Sequence, residues 1–178
     1  MKETASEMII AYLKALLPFL SSLLLVLITF IPMHLPIPAF FKPDLAMICV
    51  YFWALYRNDL FGIFSCLILG VVVDYFTNAP LGINVLVLVL TDIISAKKAS
   101  FINTKPFVVT WLVFALFMFG AMALKWSLFS LYDRLFLPLE GVFITYLVSV
   151  FIYPLIAKLN ITLQNKYLND DEVIHEQG

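Results

Sequence analysis

The chain has 178 residues, of which 63% are hydrophobic and 13% charged, against roughly 45 to 50% apolar and about 25% charged in an ordinary soluble domain. That balance excludes a soluble globular domain, and at roughly 20 residues per membrane-crossing helix six spans would leave only short loops and small tails. A net charge of -1 argues against nucleic-acid binding, which requires a concentrated basic face.

The first uncharged run, Ala15 to Ile31, follows Lys14 and ends at Pro32, Pro36 and Pro38. It predicts a span over 13–31. No small-residue processing site follows it, so it reads as an uncleaved anchor. The next apolar stretch, 45–56, is short, and Arg57-Asn58-Asp59 separates it from a second apolar run over 60–73. One helix through both would hold Arg57 near mid-membrane, at about 2.5 to 3.5 kcal/mol per charge. A helical hairpin turning at Arg57-Asn58-Asp59 costs less. Its arms are expected over 40–56 and 60–76, with Phe40 and Phe41 extending the first and Arg57 snorkelling to the interface.

Thr77-Asn78-Ala79-Pro80-Leu81-Gly82 is a breaker-rich turn. A fourth span is expected over 82–96, stopped by Lys97 and Lys98. Pro106 opens a fifth over 107–125, and Pro138 opens a sixth over 138–157, ended by Lys158; proline suits a first helical turn. Residues 1–160 therefore read as a single transmembrane helical domain. Residues 161–178, with Asp170, Asp171, Glu172 and Glu176, read as a solvated, partly disordered cytoplasmic tail. The expected class is an all-α polytopic membrane bundle of six transmembrane helices.

Lysine and arginine set the orientation of such a chain. With the N-terminus inside, Lys2, Lys14, Arg57, Lys97, Lys98, Lys105, Lys158 and Lys166 lie inside, and Lys42, Lys125 and Arg134 lie outside. That split favours six spans with both ends cytoplasmic. A five-span alternative, fusing the second and third helices, would put the basic 97–105 loop outside.

Gly62, Cys66, Gly70 and Asp74 recur every four residues, placing three small side chains and a carboxylate on one helix face. Gly141, Thr145 and Ser149 repeat the device in the sixth span. Small residues at this spacing admit a second helix backbone, either within the bundle or from a partner. Three acids lie in apolar surroundings. Glu140 suits the positive end of the sixth helix, and Asp92, five residues before Lys97, is expected as a snorkelling or paired charge. Asp74 is expected as a structural lock on the following turn, accepting hydrogen bonds from N–H groups of residues 80–84 or from Asn84. Asp74 and Asp92 do not make a protease dyad, because their depths differ by about 15 Å at 1.5 Å per residue. Cys49 and Cys66 lie in apolar runs and read as buried free thiols. His34 and His175 are far apart in sequence and match no zinc spacing; His34 reads as an interfacial loop residue. No nucleophile–base set or phosphate loop is present, so neither an enzyme nor a cofactor is expected.

Lys42-Pro43-Asp44-Leu45 opens a span, Tyr51 to Arg57 closes it, and Gly62, Gly70-Val-Val-Val-Asp74 and Ala79-Pro80-Leu81-Gly82-Ile83-Asn84 follow in order. In these motifs the stretch from Pro43 to Lys98 resembles the bacterial rod shape-determining MreD family. The resemblance implies a non-enzymatic inner-membrane component of the cell-elongation machinery. Its implied partners are MreC, then RodA with a class B penicillin-binding protein, and indirectly MreB. It also implies a fold similar to the six-helix substrate-binding components of energy-coupling-factor transporters. That similarity supplies a second expectation, a vitamin-type transporter subunit, which an outward cavity lined by convergent polar groups would favour.

Overall fold

The computed structural model of the chain describes residues 5–31, 42–136 and 138–167. Among these it contains six α-helices and no strand: α1 (Ala5–Phe30), α2 (Leu45–Tyr56), α3 (Ile63–Thr77), α4 (Ile83–Ile102), α5 (Phe107–Asp133) and α6 (Leu139–Tyr167). Phe40, Phe41, His34 and the acidic residues from Asp170 onward lie outside the described residues, as does His175.

Helix ends follow local chemistry. The Asp44 carboxylate accepts the Met47 N–H and caps α2, so this helix begins at Leu45 rather than near residue 40, because proline and an N-cap acid set its first turn. Asn78 adopts a left-handed conformation at φ 50° and closes α3, and Gly82 at φ 109° opens α4. Only glycine adopts that second geometry without strain.

Three helices run past their expected ends, the fourth and sixth past lysines expected to stop them. The fourth continues through Lys97 and Lys98 to Ile102, the fifth through Lys125 to Asp133, and the sixth past Lys158 to Tyr167. Lysine interrupts an apolar run but is itself a good helix former. The fourth and fifth helices therefore end at Asn103 and Arg134 instead. The first seven residues of the segment expected as a tail, 161–167, are accordingly helical, and Asn160 just before them is fully buried.

The core is built around α2. Every residue from Ala46 to Leu55 is buried, as expected of a helix that is apolar on all sides. It packs against α1, α3, α4 and α6, and Tyr51 reaches α5 through Phe114, at 5.1 Å between ring centroids. Phe114 in turn stacks on Tyr153 of α6 at 4.1 Å. At 12 residues α2 is about 18 Å long, well short of the roughly 30 Å hydrocarbon thickness. Among the described residues two helices, α5 and α6, are long and apolar enough to cross a membrane.

The outer faces are also apolar. On α3, Phe64, Ile68, Val71 and Tyr75 form an exposed stripe, and Leu112, Leu116, Phe151 and Leu155 do the same on α5 and α6. Exposed apolar surface this extensive marks contact with a membrane or with partner helices.

Candidate functional site at one end of the bundle

Residues near the C-terminal ends of α1, α3 and α5 and the N-terminal ends of α2, α4 and α6 meet around one cavity of about 460 Å³. Phe30, Leu45, Thr77, Asn84, Lys125 and Thr145 each bring one helix to its wall. The helices thus alternate in direction, and two polar assemblies organise their common end.

The first assembly is the turn between α3 and α4. Asp74 is fully buried. Its Oδ2 accepts the Gly82 N–H at 2.7 Å, and its Oδ1 accepts both the Asn84 backbone N–H at 3.1 Å and the Asn84 side-chain amide at 2.8 Å. The Asp74 carbonyl also accepts the Ala79 N–H at 3.0 Å, and the Pro80 carbonyl accepts that of Ile83. The first N–H groups of α4 have no partner inside their own helix. A carboxylate from α3 satisfies them, at the end where the helix dipole favours negative charge. Asp74, Gly82 and Asn84 are therefore brought together, with Pro80 in the connecting turn and Leu81 exposed at its tip.

The second assembly joins α2, α5 and α6. Lys125, on α5, pairs with Asp44 at the start of α2, and both side chains are mostly buried. The Asp44 backbone N–H donates to Ser149 Oγ of α6 at 2.8 Å, while that hydroxyl donates to the Thr145 carbonyl at 2.7 Å. Sequence reasoning had placed Lys125 in an outer loop and missed this pair. The available signal was a lysine inside a long apolar helix, which needs a partner at depth.

The two small-residue stripes differ in what they meet. A Cβ on Gly70 would lie 2.5 Å from the Val85 Cα, so α3 and α4 approach as closely as they do because residue 70 has no side chain. Cys66, one turn earlier, is buried as a free thiol, as is Cys49. Gly62 caps the start of α3 and has nothing within 4 Å of an added Cβ. On α6, Ser149 is fully buried, whereas Gly141 and Thr145 are half-buried.

Glu140 lies in the first turn of α6. Asp92 is buried on α4, and its Oδ1 has no hydrogen-bond partner among the described residues. Of the two expectations for Asp92, a snorkelling or a paired charge, pairing with Lys97 does not occur among the described residues. Five residues put the two side chains about 140° apart around the helix, whereas pairs three or four apart share a face. Asp92 is eight residues beyond Asn84, about 12 Å along the helix, so it forms no dyad with Asp74. At the opposite end of the bundle, Arg57 holds Asp59 through Nε at 3.0 Å and a terminal nitrogen at 2.9 Å. These bonds keep the Asp59 carboxyl below its usual range.

Comparison with curated proteins and with solved structures returns no match. The family model described as rod shape-determining protein MreD matches residues 10–162. With an all-helical bundle and two helices able to cross a membrane, this is a membrane protein of a shape-determining family that is not a known enzyme family. The chain belongs to the MreD family of rod shape-determining proteins.

Proposed function

We propose that the chain is a non-enzymatic component of the cell-elongation complex in the bacterial inner membrane. In this reading it crosses the membrane six times with both termini cytoplasmic, binds MreC, and helps to organise peptidoglycan synthesis alongside RodA and a class B penicillin-binding protein, with MreB linked indirectly. Membership of the MreD family over residues 10–162 carries the proposal. The alternating helices and apolar outer faces support six crossings, with α2 sheltered by its neighbours. Residues 1–160 then make one transmembrane domain, and 161–178 a cytoplasmic extension that is helical at its start.

Of the two small-residue stripes, that of α6 turns inward at Thr145, on the cavity wall, and at Ser149, and keeps the half-buried Gly141 position for a partner helix. The Gly70 position is taken up by α4. Affinity purification from native membranes should recover a single-span protein with a periplasmic domain. Failure to recover it under conditions that keep the bundle folded would overturn the proposal. Reporter fusions after residue 178 and near residue 100 should report the cytoplasmic side, and periplasmic labelling of either would remove the six-span topology.

A second reading, a substrate-binding subunit of a vitamin-type transporter, is favoured by one observation: the cavity of about 460 Å³, mostly apolar but with Lys42, Asp44, Asn84 and Lys125 on its wall, has the size of a small-molecule site. Co-purification of a transport ATPase instead of elongation proteins would select it.

A further inference from the structure

We propose that the cavity beside the Asp44–Lys125 pair binds a singly charged phosphate-type headgroup carried on an apolar chain. The site rests on the membrane reading above but adds a ligand to it. Two ammonium groups, Lys42 and Lys125, border the cavity against one carboxylate, Asp44. Lys125 donates to Asp44, but an ammonium carries three donors, so it keeps donors for a second acceptor. Lys42 is exposed and makes no ion pair among the described residues. Asp74 does not restore the balance, because both of its oxygens already accept N–H bonds behind Asn84 and it does not line the cavity.

One positive charge is therefore left over in a recess otherwise walled by side chains such as Val26, Phe76 and Phe129. The surplus ammonium is that of exposed Lys42, which attracts an anionic headgroup at a membrane surface. The walls themselves suit hydrocarbon, which together describes an anionic amphiphile. The volume of about 460 Å³ lies within the range of small-molecule sites, roughly 300 to 1,000 Å³. A second cavity of about 400 Å³, between α4 and α5, is lined by apolar residues and Thr91. It has no such charge.

The full chain, assembled into nanodiscs of phosphatidylglycerol and phosphatidylcholine in equal parts and released for native mass spectrometry, provides the test. Wild-type protein should retain phosphatidylglycerol over phosphatidylcholine by about tenfold, and Lys42→Gln should lower that preference about fivefold, the worth of one lysine at a lipid surface. Lys42→Glu should abolish it. Lys42 makes no ion pair among the described residues that these variants would break, so their thermal transitions should match wild type. Equal retention of the two lipids, or an unchanged preference in both Lys42 variants, would overturn the proposal.

Displacement of the lipid by millimolar inorganic phosphate would support anion recognition with a soluble source. Resistance to it would support the lipid source. Recovery of membrane partners should stay at the wild-type level in Lys42→Gln, so failure of this site and failure of the proposed function are read separately.

Discussion

Asp74 and Asp92 are both buried, yet their surroundings are opposite. Asp74 accepts three N–H bonds from residues at the start of α4, whereas Asp92, in the middle of that same helix, has an oxygen without a partner among the described residues. A helix start offers N–H groups that its own carbonyls cannot use, while a helix interior has committed all of its N–H groups to the preceding turn. A buried carboxylate is thus stabilising where a neighbouring helix begins and costly where a helix is continuous.

The comparison breaks first at Asp74. Asp74→Ala leaves two backbone N–H groups and the Asn84 amide without their acceptor, and we expect a loss of about 3 to 9 kcal/mol at roughly 1 to 3 kcal/mol for each unsatisfied group. Thermal unfolding in detergent would measure it. Asp74→Asn keeps one acceptor oxygen and should fall between. If Asp74→Asn instead abolished complex assembly at wild-type stability, the charge itself would be needed and the structural role of Asp74 would fail.

A second, smaller loss is expected at the neighbouring ion pair. Lys125→Met removes one partner and leaves Asp44 charged and largely buried, which costs about 3 kcal/mol by analogy with other broken buried pairs. Adding Asp44→Asn should recover much of that loss, because asparagine can still cap α2 while carrying no charge. No recovery in the double variant would show that the pair is not what Lys125 contributes.

Asp92→Asn should move stability in the opposite direction from Asp74→Asn, or not at all. Removing an unpartnered charge relieves a desolvation cost, and we expect a gain of no more than about 1 kcal/mol. A loss comparable with that of Asp74→Asn would erase the distinction between the two carboxylates.

The smallest effect is expected at Asp59, an exposed acid that serves as the control. Its hydrogen bonds from Arg57 lower its pKa in the folded chain. Their contribution is therefore present above the unfolded value near 3.9 and is lost as pH falls through the lower folded value. Since the Asp59 side chain is 61% exposed, solvent screening leaves the pair at no more than about 0.5 kcal/mol. Unfolding of Asp59→Asn should fall short of wild type by no more than about 0.5 kcal/mol at neutral pH, and that difference should vanish as the pH falls below about 4.

These contrasts also show where sequence reading is strong. Asp74 lies eight residues before Gly82 and ten before Asn84, with a breaker-rich turn between them, so their meeting depends on local geometry. The hairpin break at Arg57-Asn58-Asp59 is legible for a similar reason, since a polar triplet interrupts an apolar run. The Asp44–Lys125 pair spans 81 residues and the Asp44–Ser149 bond 105. No local rule specifies which helices bring such residues together, and reading Lys125 as a span boundary concealed its place inside α5.

Composition and pattern by themselves determined the helical membrane character, the apolar segments and the turn residues between them, because membrane burial and backbone geometry act on short stretches of chain. Tertiary structure alone decided that α2 is enclosed, that Gly70 is occupied by Val85, and that six helix ends frame a cavity with unequal numbers of positive and negative groups. Those outcomes depend on which apolar faces meet. When nearly every face is apolar, the pattern cannot rank the pairings, and close packing together with a few buried polar bonds selects among them.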